Sequence, residues 1–331
     1  MDPQLISPSQ AERIRAKHAA FIGYPEVNDD VLERIRLATQ STLPRGILSL
    51  VTSMNFEGGP ETIFIRGLVS ESDLPDTPHR ADSNSKACTS LLSAIVLLGF
   101  AKTLGEPPGY KAEKKGALVQ SVFPIEAESN SSSNESSSSA LDLHTELVFS
   151  RHNPTRPLDA ESPDFILLLC LRSDPGGSAA TIIAPVDDLC SGLSEACLRV
   201  LSEARFEQRA PYSFTRDEPS SRPWVGPVPI LSMEGSKRHA AFDLACGTRG
   251  IDEEAEAALK ALRKAATAPG VVKRLHLREG DLLILNNRRC AHGRTPFFAR
   301  FDGADRWLLR AYVRRSLSGM VPVESASPRV F

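Results

Sequence analysis

Short apolar runs separated by turn-forming residues dominate the hydrophobicity pattern, and they are most frequent in the second half of the chain. Runs of strand-like length cover residues 47–52, 61–66, 117–123, 164–172, 179–185, 272–277, 280–285 and 307–313. Residues 174–177 read Asp-Pro-Gly-Gly, which predicts a tight turn and a hairpin between the two flanking strands. Many short strands bounded by turns favour an antiparallel sandwich or barrel over a doubly wound α/β fold.

Helical periodicity occurs near the N-terminus and in a few segments between the predicted strands. It predicts helices over residues 8–20, 29–40, 86–104, 187–204 and 252–268. Because of the first two, residues 1–55 are expected to form a helical N-terminal region. Helix 86–104 is the most apolar, so we expect it to be buried against a sheet. The pattern as a whole predicts a mainly β fold with flanking helices.

Composition and charge are ordinary for a globular protein, with 41% hydrophobic and 24% charged residues over 331 positions. A net charge of −2 gives no support for a nucleic-acid or acidic-membrane partner. The first 15 residues lack the apolar core of a signal peptide, and the most apolar run, residues 91–101, is about half a membrane span. We therefore expect a cytoplasmic protein without a membrane segment, whose scattered cysteines are reduced.

Residues 125–140 contain the low-complexity segment of the sequence, a run rich in serine. Such a run cannot bury apolar area, so we expect a mobile loop. It directly precedes residues 141–147, and this position allows two interpretations. The loop is either a plain surface insertion or a lid over an active site.

Residues 141–147 read Leu-Asp-Leu-His-Thr-Glu-Leu, in which leucines alternate with polar residues. In a strand, residues i and i+2 point to the same face, so His144 and Glu146 would lie side by side. An imidazole next to a carboxylate can bind a metal ion. Taken alone, the same pair is also consistent with two ordinary surface residues.

A third potential ligand, His292, follows the predicted strand 280–285. Two histidines and one carboxylate form the facial triad of non-haem Fe(II) oxygenases, which leaves positions open for a 2-oxoacid and O₂. The distal carboxylate of that 2-oxoacid needs a cation, and arginine suits it because it binds carboxylates through two parallel hydrogen bonds. Arg306 and Arg310 are four residues apart near the last predicted strand, so they should face the same side.

These motifs resemble those of the clavaminate synthase-like Fe(II)/2-oxoglutarate oxygenases, most of all the arginine and asparagine β-hydroxylases of peptide-antibiotic biosynthesis. The similarity extends over about residues 60–316. It is carried by His-Thr-Glu at 144–146, by AATIIA at 179–184 and by the block GDLLILNNRRCAHGRTPFFARFDGADRWLLRAYVRR from residue 280. Shorter matching pieces are IRGL at 65–68, LGEPPGY at 104–110 and GALVQSVFP at 116–124.

The resemblance implies a single oxygenase domain over residues 1–331 with a distorted double-stranded β-helix, or jelly-roll, core. It implies that His144, Glu146 and His292 bind the iron. Two residues would bind 2-oxoglutarate, Arg306 through its guanidinium and Thr181 through its hydroxyl. Three would bind the substrate, namely Arg310, Gln120 and Asp243. The arginine hydroxylases have more acidic residues near the position of Asp243 than this chain does, which argues against a guanidinium substrate.

The implied activity is hydroxylation of an unactivated C–H bond of an amino acid or a derivative in secondary-metabolite biosynthesis, with Fe(II), 2-oxoglutarate and O₂. Three alternatives within this class are a cyclic dipeptide substrate, an amino acid tethered to a carrier protein, and desaturation or cyclisation. Outside it, a non-catalytic metal- or ligand-binding β-barrel remains open. Three of the proposed site residues also have simpler interpretations: Thr181 as a strand former, Gln120 as the partner of a buried backbone group, and Asp243 as the cap of a turn. We expect a solvated rim made of Arg288, Arg289, Arg294 and Arg300, with the alternative that one of these arginines orders the lid.

Overall fold

The computed structural model describes residues 2–23, 27–80, 90–126, 138–149, 162–210, 224–245, 247–323, 325 and 327–331. Its α-helices are Pro8–His18 (α1), Asp29–Thr42 (α2), Arg45–Ser53 (α3), Leu92–Leu104 (α4), Val186–Cys190 (α5), Glu195–Leu201 (α6) and Glu253–Ala265 (α7). Within these ranges, every helix is too short or too polar to span a membrane.

One helix occupies a segment where the sequence pattern predicts a strand. Residues 47–52 lie in α3, which begins directly after Pro44. Its buried residues Ile47 and Val51 are four positions apart, so they lie on the same helical face. The β-branched residues in this short run were therefore a misleading signal, because the helical spacing decides which side chains reach the core.

The strands are Gln4–Leu5 (β1), Thr62–Arg66 (β2), Gln120–Val122 (β3), Leu141–His144 (β4), Phe165–Arg172 (β5), Thr181–Pro185 (β6), Phe206–Gln208 (β7), Val225–Val228 (β8), Leu231–Glu234 (β9), Lys237–Ala240 (β10), Thr248–Gly250 (β11), Lys273–Leu275 (β12), Leu282–Asn286 (β13), Cys290–Arg294 (β14) and Trp307–Val313 (β15). Two sheets account for most of them. The larger has the order β1-β2-β13-β5-β15-β3, and the smaller has the order β12-β6-β14-β4. All their neighbouring strands are antiparallel except β1 and β2.

The predicted hairpin between β5 and β6 is wrong, because β5 belongs to the larger sheet and β6 to the smaller one. The connecting turn is nevertheless well defined. The carboxylate of Asp174 accepts hydrogen bonds from the backbone N–H groups of Gly176, Ser178 and Ala179. This turn carries the chain from one sheet across to the other instead of back along the same sheet.

The two sheets pack face to face, with helices on their outer sides. Along β15, Leu308 and Tyr312 pack in the apolar layer between the sheets, together with residues of the smaller sheet such as Ile183 and Cys290. Leu309, Ala311 and Val313 point the other way and pack with α4. The outer side of the smaller sheet packs with helices α5 to α7. Arg310 alternates with Leu308 and Tyr312, so the strand periodicity directs it between the sheets.

Of the four arginines predicted to form a solvated rim, Arg300 alone is exposed. Arg288, Arg289 and Arg294 are all buried. Arg289 pairs with Glu61 and donates to the carbonyls of Glu57 and Gly59. Arg288 donates from Nε to the buried carboxylate of Asp164 at 3.0 Å. Arg288 and Arg289 can be buried because acidic and carbonyl partners from distant segments accept their hydrogen bonds.

We expect Asp164→Asn to destabilise the fold by about 3–5 kcal/mol at pH 7, because it leaves the buried Arg288 without its charge partner. Burial alone would raise the pKa of Asp164, but Arg288 and Arg315 outweigh this effect and lower it. The charged form therefore stabilises the fold above the ordinary aspartate pKa of about 3.9, and the contribution is lost as the pH falls through the lower folded pKa. Denaturant unfolding at pH 7 and at decreasing pH measures both effects.

The matched control for Asp164 is the exposed pair Arg238–Asp187, whose side chains are 40% and 47% accessible at a separation of 3.3 Å. Asp187→Asn should change the free energy of unfolding by less than about 1 kcal/mol. If the two variants were equally stable, the buried Arg288–Asp164 pair would not contribute as expected.

Candidate functional site

His144, Glu146 and His292 meet at the inner side of the smaller sheet. His144 is the last residue of β4 and pairs directly with His292 on β14, so their ring centroids lie 4.4 Å apart. Glu146 lies beyond the end of the strand, in a turn, and not on the strand as the alternating pattern predicts. The next residue, Leu147, has a φ of +56°, in the left-handed region. The turn brings one ligand atom of each residue within 4.8 Å of the other two.

The protonation states of these groups suit a cation. Nδ1 of His144 lies 2.9 Å from the carbonyl oxygen of Asp142. A carbonyl only accepts, so Nδ1 carries the proton, and the lone pair of Nε2 faces Glu146, 4.0 Å from Oε1. Burial, together with the neighbouring His144, lowers the pKa of His292 to about 4, which keeps its ring neutral at pH 7. Its Nε2 lies 3.6 Å from the same carboxylate oxygen.

Glu146 supplies the negative charge of the group. Its burial would raise the pKa, but the Arg310 guanidinium and the two histidines outweigh this and hold it well below its usual range. Two imidazoles and one ionised carboxylate, all facing one point, are a donor set that fits Fe(II). The three residues proposed from the sequence can therefore hold a single metal ion.

Arg310 lies next to this group, in the middle of a buried polar cluster. Its Nη1 donates to Glu146 at 3.0 Å, its Nε donates to the side-chain oxygen of Gln120 at 3.0 Å, and its Nη2 pairs with Glu113. Tyr312 completes the cluster, with its ring 4.6 Å from the guanidinium carbon and its hydroxyl 3.3 Å from Glu113. One arginine thus contacts two carboxylates and one amide in a place where water has little access.

Glu113 is a site residue that sequence reasoning missed. It lies in the charged run KAEKKG at 111–116, a pattern typical of a solvated surface. The residue is only 4% exposed, because the run folds against β15 and places this side chain beside Arg310. The one available signal was its position between two of the matching pieces, LGEPPGY and GALVQSVFP.

Arg306 and Thr181 form a second polar contact in the same pocket. Nη2 of Arg306 donates to the hydroxyl of Thr181 at 3.2 Å, and both residues are buried. Burial lowers the pKa of Arg306, although an arginine remains protonated at physiological pH. Arg306 immediately precedes β15, and Thr181 begins β6, so the pair joins the two sheets.

The pocket is lined by most of the residues proposed from the sequence, which are His144, Glu146, Thr181, Asp243, His292, Arg306 and Arg310. Gln120 is not part of the lining and contacts Arg310 from behind. Asp243 makes an isolated backbone bridge with His144, and its Oδ1 accepts from the backbone N–H of Ala245 at 2.8 Å. Residues 127–137 of the predicted serine-rich lid lie outside the described residues.

Arg209 also lines the pocket and was not found from the sequence. Its guanidinium carbon lies 4.5 Å from the ring centroid of Trp224, and that of Arg249 lies 4.2 Å from the same centroid. It follows β7 at the edge of a Pro- and Arg-rich segment, where neither periodicity nor a motif indicates a function. The residue adds a further cation to the lining of the pocket.

A sheet-rich fold that carries two imidazoles, one carboxylate and two buried arginines in one pocket defines a non-haem iron oxygenase. The comparison with known families agrees with this class. The chain belongs to the taurine catabolism dioxygenase TauD, TfdA family, whose family model matches residues 85–312.

Individual relatives and solved structures within this class are similar to the chain over most of its length. The L-asparagine oxygenase of Streptomyces coelicolor is 36% identical over 263 residues, which cover 79% of this chain and 73% of that protein. A crystal structure of asparagine oxygenase with Fe(II), 2S,3S-3-hydroxyasparagine and succinate superposes with a TM-score of 0.86 at 30% identity, covering 99% of this chain and 98% of that one. The non-haem iron oxygenase OrfP with iron and α-ketoglutaric acid superposes with a TM-score of 0.79 at 25% identity, covering 99% of each chain.

Proposed function

We propose that this enzyme hydroxylates an unactivated C–H bond of a free amino acid, using Fe(II), 2-oxoglutarate and O₂. His144, Glu146 and His292 would bind the iron. The bound iron would supply the oxidising chemistry: one atom of O₂ enters the substrate as a hydroxyl group, and the other enters succinate as 2-oxoglutarate loses CO₂. The protein's own residues would position both organic molecules and exclude water.

The observation that carries this proposal is the placement of two separate buried arginines around one metal-binding group. Arg306, with the Thr181 hydroxyl beside it, would bind the distal carboxylate of 2-oxoglutarate. Arg310 would bind the carboxylate of the substrate. Arg306 argues against a non-catalytic metal-binding barrel, because it is buried and donates to the neutral hydroxyl of Thr181. Its desolvation costs free energy that the carboxylate of a bound 2-oxoacid would offset, and a plain metal-binding barrel has no such ligand.

The cluster around Arg310 favours a free amino acid over a cyclic dipeptide or a carrier-bound substrate. A zwitterion has one anionic and one cationic group close together. Arg310 can bind the α-carboxylate, while the Glu113 carboxylate, which also lines the pocket, can accept from the α-ammonium group. Gln120 would act through its hydrogen bond with Arg310. A cyclic dipeptide has neither charge, and a carrier-bound amino acid has lost its carboxylate.

Two further residues of the pocket lining, Asp243 and Arg209, favour a substrate with a neutral polar side chain. Asp243 can accept hydrogen bonds from an amide NH₂ group, and it is close in sequence to few other acids. The Arg209 cation in the same lining disfavours a guanidinium or ammonium group by like-charge repulsion. We therefore propose L-asparagine, or a close neutral homologue, as the substrate. The similarity to an L-asparagine oxygenase supports this choice.

The six-stranded and four-stranded sheets would form a distorted double-stranded β-helix, and residues 1–331 would form one oxygenase domain in which helices α1 to α4 support the larger sheet.

A hydroxylated amino acid is a suitable building block for a secondary metabolite. Because free amino acids and 2-oxoglutarate are metabolites of the cytoplasm, that compartment is the expected location.

Mass spectrometry of a substrate panel tests the function. With Fe(II), 2-oxoglutarate and O₂, L-asparagine should gain one oxygen atom, with one succinate formed per product molecule. Asparagine methyl ester and N-acetylasparagine, which each lack one backbone charge, are matched controls and should react poorly. L-arginine, L-lysine and cyclic dipeptides complete the panel. Efficient oxidation of a cyclic dipeptide, or equal rates with the ester and the free acid, would contradict the zwitterion site.

A further inference from the structure

The side chain of Asn287 binds the backbone of Glu146 on both sides. Its Oδ1 accepts a hydrogen bond from the Glu146 N–H at 2.7 Å, and its Nδ2 donates to the Glu146 carbonyl oxygen at 3.2 Å. The second Nδ2 hydrogen is donated to the carbonyl oxygen of Pro163 at 2.9 Å. Asn287 is buried, so all its donors are used where water cannot replace them.

Glu146 needs such a partner because no sheet holds its backbone. Strand β4 ends at His144, and the chain then turns. The left-handed φ of Leu147 is unfavourable for a residue with a branched side chain, and it persists only where the surroundings impose it. The two hydrogen bonds between Glu146 and Asn287, one accepted and one donated by the asparagine, fix the peptide groups on either side of the Cα of Glu146.

Asn287 also lies in the turn that leads into the strand of His292. Asn287 lies in the turn between β13 and β14, five residues before His292, and its own N–H donates to the carbonyl oxygen of Asp164 at 2.9 Å. The turn therefore links three segments: the residues before β5, the strand that carries His292, and the turn that carries Glu146. No single strand pairing does this, since β14 pairs with β4 only as far as His144.

We infer that Asn287 is a positioning residue for the iron site, which holds the Glu146 carboxylate at the distance from His292 that a shared metal ion requires. It acts through the backbone of Glu146 and does not touch the metal. This inference rests on the proposed iron-binding function. Groups that orient metal ligands in this way typically contribute about 10- to 100-fold to metal affinity.

The test compares Asn287→Ala with Asn286→Ala by anaerobic Fe(II) titration against a competing chelator. Asn286 is the matched control: it is a buried asparagine at the end of β13, directly before the turn, and its Oδ1 accepts from the backbone N–H groups of Arg288 and Arg289 without contacting Glu146. We expect Fe(II) affinity to fall about 10- to 100-fold in Asn287→Ala and less than about threefold in Asn286→Ala. Denaturant unfolding of both variants shows whether they are destabilised to a similar extent.

Equal Fe(II) affinity of Asn287→Ala and the wild type would overturn the inference, as would equal losses in the two variants. Absence of Fe(II) binding by the wild type would instead refute the proposed function. If Asn287→Ala does not fold, hydrogen exchange of the wild type, measured with and without Fe(II), tests the inference instead. Coupling between two events is reciprocal, so Fe(II) must slow exchange of the Glu146 amide hydrogen that Asn287 binds. Unchanged exchange would overturn the inference without any variant.

Discussion

His292→Ala is expected to abolish hydroxylation, with kcat reduced by more than about 10³-fold, equivalent to about 4 kcal/mol of lost transition-state stabilisation. The variant keeps only His144 and Glu146, and two donors do not hold Fe(II) in a defined geometry. The loss should be confined to the metal, since β14 pairs through its backbone and the alanine fits the strand. Succinate formation and the iron content of the purified protein are the measurements.

His239→Ala provides the control for this experiment. His239 is also a buried histidine on a strand, but its Nδ1 lies 2.9 Å from Glu234 in the β9–β10 hairpin, and it does not line the proposed active-site pocket. The His239→Ala variant should retain most of the wild-type activity and the full iron content. Wild-type turnover by His292→Ala would show that the iron is held by other residues, and the site would have to be reassigned.

Arg306→Gln is expected to raise the KM for 2-oxoglutarate by about 10²-fold or more, because a buried charged hydrogen bond to a ligand contributes about 2–5 kcal/mol. The KM for the amino acid should change little. Arg310→Gln, at the other buried arginine of the pocket, should show the reverse pattern. Steady-state kinetics with each substrate varied in turn distinguishes the two roles. An unchanged 2-oxoglutarate requirement in Arg306→Gln would assign that carboxylate to Arg310.

The strand-rich character of the fold was predictable because period-two alternation is a local property. The strand Trp307–Val313 was predicted with its observed bounds, and its alternation already separates the face of Arg310 from that of Leu309. The pairing of strands was not predictable in the same way. The turn at 174–177 suggested a hairpin, but sheet membership depends on partners far away in sequence, such as β13 for β5 and β14 for β6.

For the candidate site, motif spacing identified residues that carry a distinctive side chain in a distinctive place, such as His144, His292 and Arg306. It placed Glu146 on a strand, whereas a left-handed turn brings this carboxylate to the histidines. Charged residues whose partners are distant were misjudged. Glu113 and Arg288 look solvated in sequence, yet each is buried by an opposite charge more than 100 residues away.

The division of the pocket between two sheets has a consequence for selectivity. His144 and His292 belong to the smaller sheet, while Arg310 belongs to the larger one. In the proposed function, the iron would therefore be held by one sheet and the substrate carboxylate by the other. The apolar side chains between the two sheets, such as Ile183 and Leu308, therefore set the distance between the iron-binding residues and Arg310. Changing their volume would alter which carbon atom is presented to the oxidant, even though none of them carries a polar group.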